Sequence, residues 1–161
     1  MLNLIRAKIF DLPALVSEVN AWRVYGHKIV FTNGCFDLLH LGHLTYLAEA
    51  RSLGEKLIIG LNADSSVKKL KGEHRPIHDT NSRALMLASM AIVDAVVVFE
   101  EETPIHLIEA LQPDVLVKGG DYELNQIVGH DVTLNGGGIV KTIPFLEGYS
   151  STKIEARIKG A

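Results

Sequence analysis

The run Lys28-Ile-Val-Phe-Thr-Asn-Gly-Cys-Phe-Asp-Leu-Leu-His-Leu-Gly-His43 decides the fold. Residues 28–32 are a short β-branched and aromatic stretch of the kind that forms a strand buried on both faces. The loop Asn33-Gly34-Cys35-Phe36-Asp37 follows. A helix is then expected over 42–52, with Leu44, Leu47 and Ala48 on one face, and Gly54 ends it before a second strand over 56–61. Strand, helix and strand in that order make a βαβ unit, whose two strands must run parallel.

The alternation extends both ways. Helices are expected over 82–90 and 104–111, strands over 95–99 and 115–118, then a strand over 138–143 and a terminal helix over 152–159. Upstream, Leu12, Leu15, Val16, Val19 and Trp22 recur at helical spacing, with Asp11 placed to cap, Pro13 tolerable in the first turn and Gly26 as the stop. The expected fold is α/β: a Rossmann-like, doubly wound sheet of about five parallel strands with helices on both faces, in a single domain. Residues 1–27 are read as a helical segment packed on a 28–159 core. The apolar face around Trp22 suits a partner copy as well as its own sheet, which leaves a homo-oligomer open.

Length and composition agree. The chain has 161 residues, 47% hydrophobic and 22% charged, so a folded domain is expected rather than a disordered chain. Its net charge of -3 lacks the basic excess of a general nucleic-acid binder. The apolar stretches, such as 95–99, are strand-length and well short of the roughly 18 to 20 residues that span a bilayer, so no membrane association is expected. Cys35 is the single cysteine, which excludes an intrachain disulfide and a Cys-rich zinc site. With no secretory leader pattern at the start, the expected location is cytoplasmic.

In doubly wound sheets ligands bind outside the carboxyl ends of the strands, so the loops after strands carry the chemistry. In the first, His40 and His43 are spaced to share one face at a helix start, where free N–H groups and the dipole favour an anion, and Gly42 between them offers a close backbone approach. A metal pair or two surface histidines are the plainer readings of such a spacing. Ser150, Ser151 and Thr152 begin a second helix, suited to phosphate or to simple capping. No Walker A motif occurs. Lys68, Lys69, Lys71, His74 and Arg75 form a basic cluster in the expected loop 62–79, as a solvated surface or as a clamp for phosphates through Lys71 and Arg75. Asp64 and Arg83 either line the same site or serve as surface and capping groups. Lys118-Gly119-Gly120-Asp121-Tyr122 ends a strand with two glycines and reads either as a nucleoside wall or as a turn with an Asp cap.

The strand, the G-x-F-D loop and the H-x-G-H spacing, carried by Gly34, Phe36, Asp37, His40, Gly42 and His43, resemble the nucleotidyltransferases of the cytidylyltransferase-like superfamily. Gly148-Tyr-Ser-Ser-Thr152 resembles their late G-I-S-[ST]-[ST] motif except at Tyr149. Together with Arg75-Pro76 and Val117-Lys-Gly-Gly-Asp-Tyr122, the run Phe31–His43 looks most like the heptose 1-phosphate adenylyltransferases, over roughly residues 28–159. Many such relatives carry the activity behind a sugar-kinase domain, and this chain would be a stand-alone form. Glycerol-phosphate type cytidylyltransferases bear an arginine where this chain has Phe145, which favours ATP over CTP.

The resemblance implies ATP and a heptose 1-phosphate as substrates, giving ADP-heptose and pyrophosphate by direct in-line attack, for lipopolysaccharide or surface-glycan precursors. It implies His40, His43, Lys71 and Arg75 as the catalytic group. Asn33, Gly34, Phe36, Asp37, Gly42, Lys118, Gly119, Asp121, Tyr122, Ser150, Ser151 and Thr152 would bind the nucleotide. Mg2+ is expected on the ATP phosphates without a protein metal site, because imidazole is a poor magnesium ligand, with Asp37 as a water-mediated contact. A cytidylyltransferase for polyol or amino-alcohol phosphates and a non-catalytic nucleotide-binding module are the alternatives.

Overall fold

A computed structural model describes residues 1–160. The central sheet is parallel throughout and six-stranded, in the order β1-β4-β3-β2-β5-β6. The strands are β1 (Ile9–Phe10), β2 (Ile29–Gly34), β3 (Lys56–Asn62), β4 (Ala95–Phe99), β5 (Val115–Gly119) and β6 (Ile139–Ile143). The helices are α1 (Leu2–Arg6), α2 (Leu12–Val24), α3 (Leu41–Arg51), α4 (Asp64–Lys71), α5 (Thr80–Ala88), α6 (Ile105–Leu111), α7 (His130–Asn135) and α8 (Ser151–Ile158), with a 3-10 turn at Leu124–Gln126. None of the described helices is long and apolar enough to cross a membrane.

The doubly wound expectation holds, with one strand more than the sequence suggested. The extra strand is β1, two residues that pair with β4 as Ile9↔Val96 and Phe10↔Val97, too short to carry a periodicity. Lys8 holds it there by donating from Nζ to the carbonyls of Val93 at 2.8 Å and Met90 at 3.2 Å. Segment 62–79, expected as a loop, contains α4. Its only buried residues are Ser66 and Val67, so no apolar stripe marked it as a helix. α7 was missed for the same reason, its one buried residue being Thr133. The Asp11 cap of α2 is in place, accepting from the Ala14 amide at 2.8 Å, and Gly26 ends that segment with φ +76.

Each strand feeds two cores. Val30, Leu57, Ile59, Leu61, Val96 and Val117 face α3 and α5. Ile29, Phe31, Ile58, Val97 and Leu116 face α2 and α6, with Leu15, Val19 and Trp22 completing that side. Burying one such side chain contributes about 1.5–3 kcal/mol. Because strand residues alternate between faces, the same parity governs the strand ends: Thr32 lies on the α3 side, and Asn33, Lys118 and Asn62 lie on the α6 side.

Arg83 on α5 reaches the carboxyl ends of β2 and β3, but its guanidinium nitrogens are all engaged by protein acceptors there. It is fully buried and pins three loops together, donating to the carbonyls of Cys35 at 2.7 Å, Asn62 at 2.8 Å and His78 at 2.9 Å, and pairing with Asp64 at 2.6 Å. Asp64 is therefore engaged at the start of α4, also accepting from the Thr80 hydroxyl at 2.8 Å. Arg83→Met strands those carbonyls and is expected to cost about 3–5 kcal/mol. Urea denaturation checks this; a loss below about 1 kcal/mol would contradict the pinning role.

Candidate active site

β2 has β3 on one side and β5 on the other, so the chain turns away in opposite directions from its carboxyl end. A crevice opens there, with a cavity of about 560 Å³. Its walls come from the loop after β2, from Asn62 and the end of α4, from residues 102–104 after β4, from residues 118–128 after β5, and from Phe145 and Ser151.

The loop after β2 is held open by one strained residue and one buried carboxylate. Phe36 has φ 46, a left-handed conformation rare for a large side chain, and its ring occupies the space a Cβ at Gly34 would need, at 2.9 Å. That ring also meets His43, 5.4 Å between centroids. Asp37 is enclosed: Oδ1 accepts from the amides of Ile77 at 2.7 Å and His78 at 3.0 Å, and Oδ2 from Arg75 Nη1 at 2.7 Å. Burial alone would raise its pKa, but the Arg75 bond and the two amides outweigh it and hold the carboxyl below its usual range. Both oxygens already accept protein hydrogen bonds, which compete with the water-mediated magnesium contact expected of Asp37.

His40 precedes α3 as its N-cap residue and makes no side-chain capping bond, which leaves the Leu41 and Gly42 amides without a capping partner, while the His43 amide donates to the His40 carbonyl at 2.9 Å. His40 and His43 stack, with ring centroids 3.8 Å apart and planes 23° apart. The Nδ1 atoms of both rings are buried without a hydrogen-bond partner among the described residues. Gly42 makes room for this arrangement, because a Cβ there would meet the His40 ring at 3.1 Å and the Tyr149 Cβ at 3.2 Å. The glycine thus serves the imidazoles and the later motif, where the sequence suggested close approach of a phosphate. Burial, then the neighbouring His40 and Lys71, lowers the His43 pKa to about 4; burial lowers that of His40. Both rings are neutral at neutral pH.

The other expected residues divide. Lys71, at the end of α4, lines the cavity, as do Asn33, Gly34, Lys118, Gly119, Tyr122 and Ser151. Burial lowers the pKa of Lys118, and the nearby Cys35 opposes that shift. Ser150 caps α8 by accepting from the Lys153 amide at 3.1 Å, and with Thr152 it stays outside the cavity lining. Asp121 is exposed and also absent from the lining. A Cβ at Gly119 would strike the Phe145 ring at 2.5 Å, so the Gly-Gly pair accommodates Phe145 over the end of β5. Arg75 is fastened between Asp37 and Glu155 of α8.

Sequence reasoning missed Tyr46, Phe145 and residues 102–104 as parts of the wall. Tyr46 shares a short 2.6 Å hydrogen bond with the Thr32 hydroxyl, and burial pushes its pKa up to about 12. Tyr46 is both a core residue and part of the cavity wall.

A parallel sheet opening at its switch point, with a helix start beside it, His43 in the cavity wall and His40 stacked on His43, is a doubly wound α/β domain of the Rossmann-like class. Residues 31–157 match the Cytidylyltransferase-like family, and the chain belongs to it. It is 55% identical to the bifunctional protein HldE of Wolinella succinogenes over 154 residues, 96% of this chain and 32% of that one. With HldE of Aliarcobacter butzleri the figure is 58% over 134 residues, 83% of this chain and 27% of the other. The chain thus spans about a third of the length of these curated relatives. A lipopolysaccharide core biosynthesis protein from Thermoplasma volcanium superposes with a TM-score of 0.60 at 28% identity, over 78% of this chain and all of the other. A pantoate-beta-alanine ligase from Francisella tularensis, 16% identical with a TM-score of 0.60, shares the fold.

The lowered His43 pKa has a signed consequence. Between about pH 4 and the ordinary 6.5 the unfolded chain holds more protons at this position than the folded one. Stability therefore rises with pH across that interval and is lost on acidification through it. His43→Asn should flatten this limb of a stability–pH curve from chemical denaturation; an unchanged slope would contradict a buried, neutral imidazole.

Proposed function

We propose that the chain is an adenylyltransferase that joins AMP from ATP to a heptose 1-phosphate, releasing pyrophosphate. The observation that carries the reading is the stacked, neutral His40–His43 pair at the uncapped start of α3, each ring with a buried nitrogen that lacks a protein partner. A triphosphate at the α3 start would meet these rings at their open edges rather than at the enclosed nitrogens, with the uncapped helix start beneath it. The names of the relatives, a bifunctional HldE and a lipopolysaccharide core biosynthesis protein, support the same chemistry and its place in surface-glycan synthesis.

In this reading the acceptor phosphate oxygen attacks the α-phosphorus in line. The new P–O bond forms as the bond to the α,β-bridging oxygen breaks, and pyrophosphate leaves. The acceptor is already an anion, so no general base is needed, and positioning with charge stabilisation carries the rate. His40 and His43 donate to phosphate oxygens, the α3 and α8 starts add amides, and Lys71 adds a positive charge. Tyr122 and Phe145 offer partly exposed aromatic faces beside Gly119 for a purine, and an apolar Phe145 favours ATP over CTP.

The described residues contain no group of three or more His, Cys, Asp or Glu placed to hold a metal, and the Asp37 oxygens already accept protein hydrogen bonds. They fit a magnesium ion that arrives on the triphosphate, where it neutralises phosphate charge.

The acceptor belongs on the α6 side of the crevice. Asn33 and Lys118 point there by strand parity, next to Thr103 and Gln126 in the same cavity. These four side chains are polar, one of them a cation, and suit a polyhydroxylated phosphate.

Incubation with ATP and heptose 1-phosphate should release pyrophosphate, and His40→Ala or His43→Ala should lower turnover about 100- to 1000-fold. No release above the double variant would overturn the reading. Lys118→Met is expected to raise KM for the sugar phosphate about tenfold with KM for ATP little changed; the reverse pattern would place the acceptor elsewhere.

A further inference from the structure

The start of α8 faces the start of α3 across the phosphate side of the cavity, yet α8 is weakly held. It has no buried residue. The Ser151 hydroxyl donates to the Leu38 carbonyl at a long 3.4 Å, and Tyr149 rests against Gly42. The firm tie is ionic: Arg75 Nη2 donates to Glu155 Oε2, while Nη1 holds Asp37. Asp37 is fixed in turn by two amides of the 72–79 segment. A single guanidinium therefore joins the loop after β2, the segment after α4 and the terminal helix, whose partners lie 38 and 80 residues away in sequence.

We infer that Arg75 is a positioning residue: by bridging Asp37 to Glu155 it holds the α8 start at the spacing from α3 that one triphosphate can span. This rests on the cavity being the ATP site. The guanidinium need not touch phosphate. Both of its terminal nitrogens are engaged by carboxylates, and its side chain is only 12% exposed. When α8 undocks, half of the phosphate site is lost, so apparent ATP affinity scales with the docked fraction. The acceptor lobe, on the α6 side of the same cavity, is lined by Asn33 and Lys118, which make no hydrogen bond to Arg75 or Glu155, so its affinity should change little.

The inference and a direct phosphate clamp predict opposite signs for one substitution. If Arg75 binds phosphate itself, Glu155→Gln releases it from a competitor and ATP binds more tightly. If Arg75 positions α8, Glu155→Gln weakens the tie and ATP binds less well, about two- to fivefold for a partly exposed ion pair. ATP would be titrated calorimetrically into the wild-type chain, Glu155→Gln, Arg75→Lys and the double variant, with KM for the sugar phosphate measured alongside. Support is a weaker ATP affinity in Glu155→Gln, little further loss on adding Arg75→Lys, and an unchanged sugar-phosphate KM. Unchanged or tighter ATP binding in Glu155→Gln overturns the inference. Should that variant also melt earlier, amide exchange decides: acceleration confined to residues 151–158 supports positioning, and acceleration across the sheet overturns it. Absence of ATP binding by the wild-type chain would instead overturn the functional reading beneath it.

Discussion

The parallel pairing of β2 on both of its edges is the constraint from which the site follows. With β3 against one edge and β5 against the other, the loop leaving β2 has no strand-to-strand connection above it, and the neighbouring loops diverge. The sheet then assigns chemistry by parity. Residues of one phase meet α3, the imidazoles and α8; residues of the other, Asn33 and Lys118, meet the α6 side. One crevice thereby acquires two differently furnished sides, which suits the reaction proposed above.

The electrostatics of the crevice come as much from neutralised carboxylates as from cations. Asp37 and Asp64 both stand near the strand ends, and each is paired with an arginine that is itself largely enclosed. Arg83 stabilises the fold and Arg75 joins loops, so neither acid projects negative charge toward a phosphate. Lys71 and Lys118 remain as cations in the wall. Burial penalises the protonated forms of both histidines, so they add no positive charge of their own at neutral pH.

Much of this architecture was legible in the sequence. Strand and helix periods placed β2 to β6 and most helices within a residue or two, since each long element buries a regular face. β1, α4 and α7 bury too few side chains to leave a pattern. The histidine motif was readable because its spacing is local. The fate of Arg75 and Arg83 was not, because their partners come from loops dozens of residues away and only the tertiary fold brings them together. The role of the glycines was legible only in part. Sequence indicated close approach at Gly42 and Gly119, and the approaching groups are the His40 ring and the Phe145 ring.

The most direct measurement is a crystal structure with a non-hydrolysable ATP analogue. The account predicts α- and β-phosphate oxygens within hydrogen-bonding distance of both imidazoles and of the α3 and α8 amides, with the purine against Tyr122 or Phe145. A nucleotide seated away from the imidazoles, with both rings still lacking partners, would contradict it.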